Sequence, residues 1–225
     1  MDTNLSFWAF SNNIVIPRLL DGMAITLKLT LASGSIGFIL GMIIALMRLS
    51  KFKIFSWFAI SYITLFRGTP LLLQILFIYF AVPTLINLNL DSFPAGVLAL
   101  SFNCAAYLAE IFRAGILSIP KGQTEAAKAL GLSHHQTMFK IIIPQTYRRI
   151  IPPVVNEFSA LTKETSLVSV ISLGELLYVT QRIGAKYLRP WEVYIWAGLG
   201  YLIIVLILSY IASRLERSLL LKGGV

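Results

Sequence analysis

The chain has 225 residues, of which 57% are hydrophobic and only 13% are charged, and its mean hydropathy is +0.78. Soluble domains carry about a quarter charged residues, so this composition excludes an ordinary soluble domain and indicates an integral membrane protein. The net charge of +9 is typical of cytoplasmic loops of membrane proteins, so it gives no support to nucleic-acid binding.

Five apolar stretches predict an all-α integral membrane protein. A helix needs about 20 apolar residues to cross the hydrocarbon core of a bilayer. The predicted transmembrane helices are residues 22–47, 54–83, 94–117, 150–173 and 193–213. We interpret residues 1–225 as a single transmembrane domain.

The second stretch is interrupted by the sequence Arg67-Gly68-Thr69-Pro70. Pro70 removes a backbone donor and Gly68 loosens the helix, so the helix should break here. We interpret residues 54–83 as one broken span, in which Arg67, Gly68 and Pro70 act in gating or have a structural role. In the alternative interpretation, residues 54–66 form an interfacial helix.

The basic residues predict which side of the membrane each loop occupies. Twelve of the 19 lysines and arginines fall on one predicted side, in the loop after the first span, in residues 113–149 and in the C-terminal tail. Since cytoplasmic loops are enriched in basic residues, we expect the N-terminus outside and the C-terminus in the cytoplasm. The basic residues between Arg182 and Arg189 argue against this orientation.

Charged and polar residues within the third and fourth spans are candidates for a substrate pathway, because burying a charge in a bilayer is costly. The candidates are Asn103, Tyr107, Glu110, Arg113, Glu157, Lys163, Glu164 and Ser169. The first three share one helical face, and Ser169 belongs to a stripe of hydroxyl residues. The set offers both charges that a zwitterionic amino acid needs. Alternatively, Glu110 and Arg113 form a structural ion pair and the hydroxyls join helices.

A polar island, residues 118–147, lies between the third and fourth spans. Pro120 interrupts the preceding helix, and Glu125 to Leu130 are strong helix formers. Gly131 stands where a helix ends in a left-handed residue. We therefore predict a first short helix that ends at Gly131 and is exposed to the cytoplasm. The alternative is an ordinary solvated loop helix.

A second short helix should follow in the island. Ser133 with Gln136 three residues later has the pattern of a capping box, which predicts a helix start at Ser133. Pro144 should end this helix, because proline cannot donate the backbone hydrogen bond that continues it. The island is thus expected to form two helices joined at an angle.

The sequence contains no nucleotide-binding phosphate loop and none of the common hydrolase motifs. His134 and His135 are adjacent, and neighbouring helical residues diverge by about 100°, so they make a poor metal pair. We therefore predict that the chain is not an enzyme and binds no metal or cofactor. Any ATP and Mg²⁺ would be bound by a partner protein.

The island also contains the pattern E-A-A, three residues, G, nine residues, I, one residue, an aliphatic residue and P. The matching residues are Glu125, Ala126, Ala127, Gly131, Ile141, Ile143 and Pro144. This pattern resembles the EAA loop of the membrane subunits of binding-protein-dependent ABC importers, although leucine is commoner than Ile143 at its position. RGTPLL, AYLAEIFRAGI and NEFSALTKETSLVSVI at residues 67–72, 106–116 and 156–171 are similar to the polar amino acid permease branch.

The resemblance covers nearly the whole chain and implies the type I ABC importer permease fold in the bacterial cytoplasmic (inner) membrane. In that family the EAA loop forms coupling helices that bind a groove of a cytoplasmic ABC ATPase dimer. Glu125 would then anchor the contact, while Ala126, Ala127 and Gly131 permit close approach.

The other partners that the resemblance implies are a second permease subunit, identical or related, an extracytoplasmic amino-acid-binding protein and membrane lipid. The implied function is import of a polar amino acid, with the amino acid left open because acids and bases both occur on the candidate faces. The alternatives are a stand-alone channel or secondary transporter for small polar solutes and, third, an intramembrane enzyme.

Overall fold

The computed structural model describes residues 5–222, without the side chains of residues 212 and 215–222. Residues 1–4 and 223–225, the ends of the predicted domain, lie outside this range. The first helical run consists of α1 (Phe7–Phe10), a π-helical turn (Ser11–Val15) and α2 (Ile16–Leu49). The predicted first span, 22–47, lies within this run, which begins earlier because the turn before Ile16 is also helical.

The second apolar stretch is divided at the predicted place. Its elements are α3 (Lys53–Gly68), α4 (Leu71–Leu76), a π-helical turn (Phe77–Ala81) and α5 (Val82–Ile86). The axis bends by 105° between Gly68 and Leu71. Thr69 and Pro70 have extended backbone conformations there, which confirms the helix break.

The remaining elements surround the polar island and complete the fold. They are α6 (Ser92–Leu117), α7 (Lys121–Ala129), α8 (His134–Thr137), a π-helical turn (Met138–Ile142), α9 (Ile143–Glu164), a 3₁₀ helix (Thr165–Ile171), α10 (Leu176–Tyr187) and α11 (Pro190–Lys222). Within residues 5–222 there is no β-strand, so the predicted all-α architecture is confirmed.

Within the described residues, three helical runs are long and apolar enough to cross a membrane. They are Phe7–Leu49, Ser92–Leu117 and Pro190–Ile211, and the bent pair of α3 with residues 71–86 raises the number to four. The predicted fourth span, 150–173, is not among them. Its residues divide between α9, which contains two interior prolines and several charges, and the 3₁₀ helix. The count of five spans stays a prediction.

The prediction that Pro144 ends the second helix of the island is wrong. The backbone remains helical through Pro144 and on to Glu164. Pro144 lies two residues after a π-helical turn, and Pro17 and Pro83 follow the other two π-helical turns at the same distance. A π-helical turn changes which carbonyl faces each backbone nitrogen, so a proline beyond it can be accommodated without ending the helix.

The core is built on close packing of α2 against α6. A Cβ atom placed on Gly41 would lie 2.9 Å from the Leu108 Cβ atom and 3.0 Å from the Ala105 carbonyl oxygen. At Gly37 it would lie 3.1 Å from the Cys104 sulfur. The two backbones can therefore approach this closely only because α2 carries glycines where it faces α6.

Helices α10 and α11 form a second cluster with the N-terminal run. The buried side chains of this cluster include Phe10, Val15, Leu176, Ile183 and Val193. This cluster packs against α2. Helices α6 and α9 also pack against α2. The arrangement leaves the polar island at the junction of α6 and α9.

Candidate functional site

The first helix of the island ends as predicted. Gly131 has φ = +74°, and its N–H donates to the Lys128 carbonyl at 2.9 Å. The N–H of Leu132 donates to the Ala127 carbonyl at 3.0 Å. This pair of hydrogen bonds around a left-handed glycine is the Schellman motif, which satisfies the last carbonyls of the helix and turns the chain sharply.

The second helix of the island begins as predicted. The Gln136 N–H donates to the Ser133 hydroxyl oxygen at 3.2 Å, and the Ser133 N–H donates to the Gln136 side-chain oxygen at 2.9 Å. The capping box is therefore complete. It fixes the direction in which the chain leaves the turn at Gly131.

The three residues of the E-A-A pattern do not share one surface. Glu125 and Ala126 are exposed, whereas Ala127 is only 1% exposed. Helix α7 packs against the π-helical turn Met138–Ile142, and Ala127 lies on its buried side. The expectation that Ala127 permits close approach of a partner is therefore wrong for this conformation. Its small side chain instead lies inside the island.

The island exposes large apolar side chains that the sequence interpretation missed. Leu130 is 80% exposed and Phe139 is 65% exposed, and Ile143, which was predicted, is 40% exposed. Exposed apolar side chains surrounded by polar ones mark interaction surfaces. The signal available in the sequence was a leucine and a phenylalanine within an otherwise polar segment.

The island is attached firmly to α6 and α9. The Arg149 guanidinium on α9 donates to the carbonyl of Ser118, directly after α6, at 2.6 Å. Ile119 and Ile142 are buried, and the Ile150 side chain of α9 packs against Gly115 of α6. A force on the island would therefore act on both helices.

Three predicted residues line one cleft of about 510 Å³ between α3, α6 and α9. Arg67 of α3 lies with its guanidinium carbon 5.0 Å from the centre of the Tyr107 ring. Glu110 is one turn further along α6, and Arg149 and Pro153 close the α9 side. The cleft thus combines a cation, an aromatic ring and a carboxylate close to the attachment of the island.

Glu110 and Arg113 form an ion pair, as the alternative interpretation of the sequence had it. The Arg113 Nη2 atom lies 2.8 Å from Glu110 Oε2, and its Nε atom lies 3.1 Å from both carboxylate oxygens. This two-pronged contact neutralises both charges on one helix. Arg113 does not line the cleft itself.

The side-chain amide of Asn103 is hydrogen-bonded to residues at the helix break. Its amide nitrogen donates to the Phe66 carbonyl at 3.2 Å and to the Gln74 side-chain oxygen at 3.0 Å. The Gln74 amide nitrogen donates in turn to the carbonyls of Phe66 and Thr69 and to the Thr69 hydroxyl, at 2.9–3.1 Å. The sequence interpretation missed Gln74, although a glutamine within an apolar run was a visible signal.

The predicted residues of α9 lie apart from the cleft. Lys163 and Glu164 line a separate depression of about 420 Å³. Glu157 and Ser169 are half-buried and line neither cavity. The hydroxyls of Thr162 and other members of the stripe donate to carbonyls of their own helix. Of the predicted pathway set, two residues therefore line the cleft, two line the separate depression and the other four line neither.

No group of three histidine, cysteine, aspartate or glutamate side chains comes together within residues 5–222. The rings of His134 and His135 lie 6.3 Å apart at the exposed start of α8. The two side chains diverge as expected for neighbours on a helix.

Comparison with known proteins gives the family. Residues 37–220 match the family model described as the binding-protein-dependent transport system inner membrane component. The chain is 46% identical to the arginine transport system permease protein ArtQ of Bacillus subtilis strain 168, over 91% of this chain and 93% of that one. It is 43% identical to the L-cystine transport system permease protein TcyB of the same strain, over 95% of this chain and 88% of that one.

A third relative is the glutamine transport system permease protein GlnP of Escherichia coli K12, which is 40% identical over 90% of this chain and 93% of that one. Among solved structures, a crystal structure of an amino acid ABC transporter with histidines matches with a TM-score of 0.88 and 39% identity, over 96% and 99% of the two chains.

The inward-facing MetNI methionine ABC transporter matches with a TM-score of 0.71, over 91% of this chain and 97% of that one. Its sequence identity is 18%, so this match supports the fold alone. Such permeases are membrane subunits, and ATP is hydrolysed by a separate subunit. The chain belongs to the family of binding-protein-dependent transport system inner membrane components, and it is a multi-pass permease subunit of an ABC importer.

Proposed function

We propose that the chain imports a polar amino acid as one of two permease subunits and that the polar island binds an ABC ATPase dimer. One observation carries this proposal: the island is joined through Arg149 and Ser118 to the helices that line the charged cleft. The named substrates of the relatives, arginine, cystine and glutamine, support a polar amino acid.

We define the docking face of the island by its exposed residues Glu125, Ala126, Leu130, Phe139 and Ile143. Glu125 supplies the fixed charge, and the three large apolar side chains supply the buried area that a stable contact needs. Ala126 leaves room for the backbone of the ATPase to approach.

The other residues of the motif act within the island. Gly131 supplies the left-handed turn, and Ala127 lets α7 pack closely against the turn that precedes α9. Ile141 and Pro144 belong to the stretch that leads into α9. ATP with Mg²⁺ draws the two ATPase subunits together. The island then moves with the ATPase groove that holds it, and α6 and α9 move with the island.

The pathway includes the cleft of Arg67, Tyr107 and Glu110 near the island. Arg67 is available to attract the carboxylate of an amino acid in the cleft, and Glu157 and Glu164 on α9 provide negative charge for its ammonium group at another point of the pathway. Lys163 on α9 and Ser169 on the following 3₁₀ helix add further polar groups. Asn103 joins α6 to the helix break, and the Glu110–Arg113 ion pair neutralises both charges within α6. The second permease subunit, identical or related, closes the pathway from the opposite side.

The break at residues 67–70 acts as the gate of this pathway. A Cβ atom on Gly68 would meet nothing within 4 Å, so the chain has space to move there. Pro70 keeps α3 and α4 from joining into one straight helix. Arg67 therefore changes position when the bend opens or closes.

The distribution of basic residues supports an N-terminus outside and a C-terminus in the cytoplasm, which places the island on the ATPase side. The extracytoplasmic binding protein then delivers the amino acid at the opposite end. Residues that face lipid include the exposed apolar side chains of α11, such as Leu202 and Leu206.

The test is uptake by proteoliposomes that contain the permease with the ATPase and binding protein that copurify from native membranes. We expect uptake of radiolabelled amino acid that requires internal ATP and Mg²⁺ and external binding protein. Liposomes that contain the chain alone serve as the control. Equal uptake by the chain alone without nucleotide would identify a channel or secondary transporter and overturn the proposal.

The amino acid is identified by thermal shift of the purified binding protein with arginine, cystine, glutamine, a sugar and a dipeptide. We expect stabilisation by one or more of the amino acids. Stabilisation by the sugar or the dipeptide alone would overturn the amino acid part of the proposal and leave the permease part intact.

A further inference from the structure

A second charged cleft lies along one face of α10, far in the sequence from the polar island. It has a volume of about 870 Å³ and is lined by three cations, Arg18 of α2 and Arg182 and Lys186 of α10. Tyr178 and Gly174 continue the lining toward the start of α10. All three cations are exposed. We call these three residues the outer cationic cluster.

The position of the cluster follows from how α10 packs. Leu176, Thr180 and Ile183 are buried against the N-terminal run and α11. Arg182 and Lys186 are one helical turn apart on a different side of the helix, in line with Tyr178. The packed side therefore fixes the direction in which the cations project.

The start of α10 is also fixed. The buried Glu175 carboxylate accepts hydrogen bonds from the N–H groups of Leu177 and Tyr178 at 2.9 and 2.7 Å and from the Tyr201 hydroxyl of α11 at 2.7 Å. The outer cationic cluster is thus presented by a rigid helix rather than by a loop.

No carboxylate of the described residues lies within ion-pair distance of the cluster, although Asp21 is one turn from Arg18. Arg189, the next basic residue, differs. It is 2.7 Å from Glu192, donates to the Leu5 carbonyl at 2.9 Å and lies over the Phe10 ring. Arg189 therefore has a structural role, while the cluster keeps its positive charge for a ligand.

The proposed orientation places the cluster on the outer side of the membrane, where basic residues are uncommon and so require a reason. The protein that approaches a binding-protein-dependent permease from this side is the binding protein. We propose that Arg18, Arg182 and Lys186 form the docking site for an acidic patch of the extracytoplasmic binding protein. This inference rests on the proposed function and orientation.

An anionic lipid headgroup fits the observations less well. The three cations come from two helices and surround a cleft larger than a single phosphate needs. A protein surface with several carboxylates matches this spread of charge.

The proposed contact predicts electrostatic steering. Complementary charges raise the association rate constant of two proteins by one or more orders of magnitude, and salt removes the effect. The rate at which the binding protein docks should therefore fall as ionic strength rises. The dissociation rate should change less, because the cations are exposed.

The test uses the complete transporter in nanodiscs of phosphatidylcholine and the binding protein that supports uptake through the wild-type complex. The double variant Arg182→Glu, Lys186→Glu should lower the association rate constant by about tenfold or more and abolish its salt dependence. The matched control is Lys51→Glu, Lys53→Glu, which makes the same charge change at exposed residues on the predicted cytoplasmic side. It should change the rate constant by less than about twofold.

A milder variant keeps the test possible if the double variant does not fold. Arg18→Gln removes one charge from an exposed position and should lower the association rate constant by about threefold. An unchanged rate and salt dependence in all cluster variants, with a wild type that docks and imports, would overturn the docking site and leave the proposed function intact. A wild-type complex that neither docks the binding protein nor imports would instead contradict the proposed function.

The lipid alternative has its own outcome. If docking is the same for wild type and variants, and only binding of phosphatidylglycerol to the complex is lost in the variants, the cluster is a lipid site and the docking inference is overturned. Loss of docking in phosphatidylcholine, where no anionic lipid is present, supports the inference.

Discussion

The chain interrupts its apolar sequence with glycine and proline at two places, and the structure uses the two interruptions in opposite ways. At the helix break, residues 67–70, the free backbone groups turn inward and are satisfied by Gln74 and Asn103. In the polar island, the turn at Gly131 satisfies its own backbone and presents side chains outward. The first is an internal joint, and we propose that the second is a docking face.

The comparison shows that a break in a helix does not by itself indicate a role. What separates the two regions is the destination of their polar groups. A break within the membrane must satisfy its backbone with other protein groups, because lipid offers none. A break in the cytoplasm can leave side chains such as Glu125 and Leu130 exposed for a partner. Changes at the two places should therefore separate stability from transport.

The largest expected effect is that of Glu125→Lys on transport. The substitution reverses the charge at an exposed residue of the docking face, so ATP-driven uptake should be abolished while folding and membrane insertion are kept. The measurement is binding-protein-dependent uptake in proteoliposomes with matched amounts of permease. Glu125→Gln, which keeps the size of the side chain, should give an intermediate rate. Normal uptake by Glu125→Lys would contradict the docking role.

The next effect is that of Gln74→Leu on stability. The substitution removes an amide group that lies within hydrogen-bond distance of three acceptors and leaves the Thr69 carbonyl without this donor, while the Phe66 carbonyl keeps Asn103; the cost is about 2–3 kcal/mol. The measurement is the free energy of unfolding in detergent micelles. Gln123→Leu, at an exposed residue of α7, is the control and should change stability by less than about 0.5 kcal/mol. Equal stability of the two variants would show that the break is not held by Gln74.

A smaller effect is the coupling between Gln74 and Asn103. Their side chains are joined at 3.0 Å and share the Phe66 carbonyl, so the losses from Gln74→Leu and Asn103→Ala should not add. Double-mutant cycles within membrane proteins give coupling energies of about 0.6–1.7 kcal/mol, and we expect a value in this range. Strict additivity would mean that the two amides act independently.

The smallest effect compares two glycines of the island. A Cβ atom on Gly131 or Gly122 would meet nothing within 4 Å, but only Gly131 has a left-handed backbone, with φ = +74°. Gly131→Ala should therefore cost about 1 kcal/mol of stability and lower uptake, because the turn directs the docking face. Gly122→Ala should be neutral or slightly stabilising. Identical behaviour of the two variants would contradict a directing role for the turn.

The local parts of the island followed from the sequence. The helix end at Gly131 and the capping box of Ser133 and Gln136 depend on residues within a few positions of each other, so their geometry was predictable. The effect of Pro144 was not predictable, because the π-helical turn before it changes the hydrogen bonding that decides whether a proline ends a helix. The burial of Ala127 depended on the packing of α7 against that same turn.

The sequence named candidate pathway residues but could not predict how they are arranged. Helical spacing correctly placed Tyr107 and Glu110 on one face, and the structure brings both into the cleft with Arg67. Spacing on α6 could not show that Asn103 reaches the break between α3 and α4. Gln74 was missed for the same reason: its partners come from the turn at the break and from another helix.

The sequence by itself determined the membrane character, the all-α class, the two interruptions and the family pattern, because each depends on composition or on short spacing. Only the tertiary structure decided where the polar groups of each interruption point. It also decided which cations are neutralised, since Arg189 meets Glu192 while Arg182 and Lys186 face an open cleft. The direction of a side chain is fixed by helices that are distant in sequence, and no local pattern contains that information.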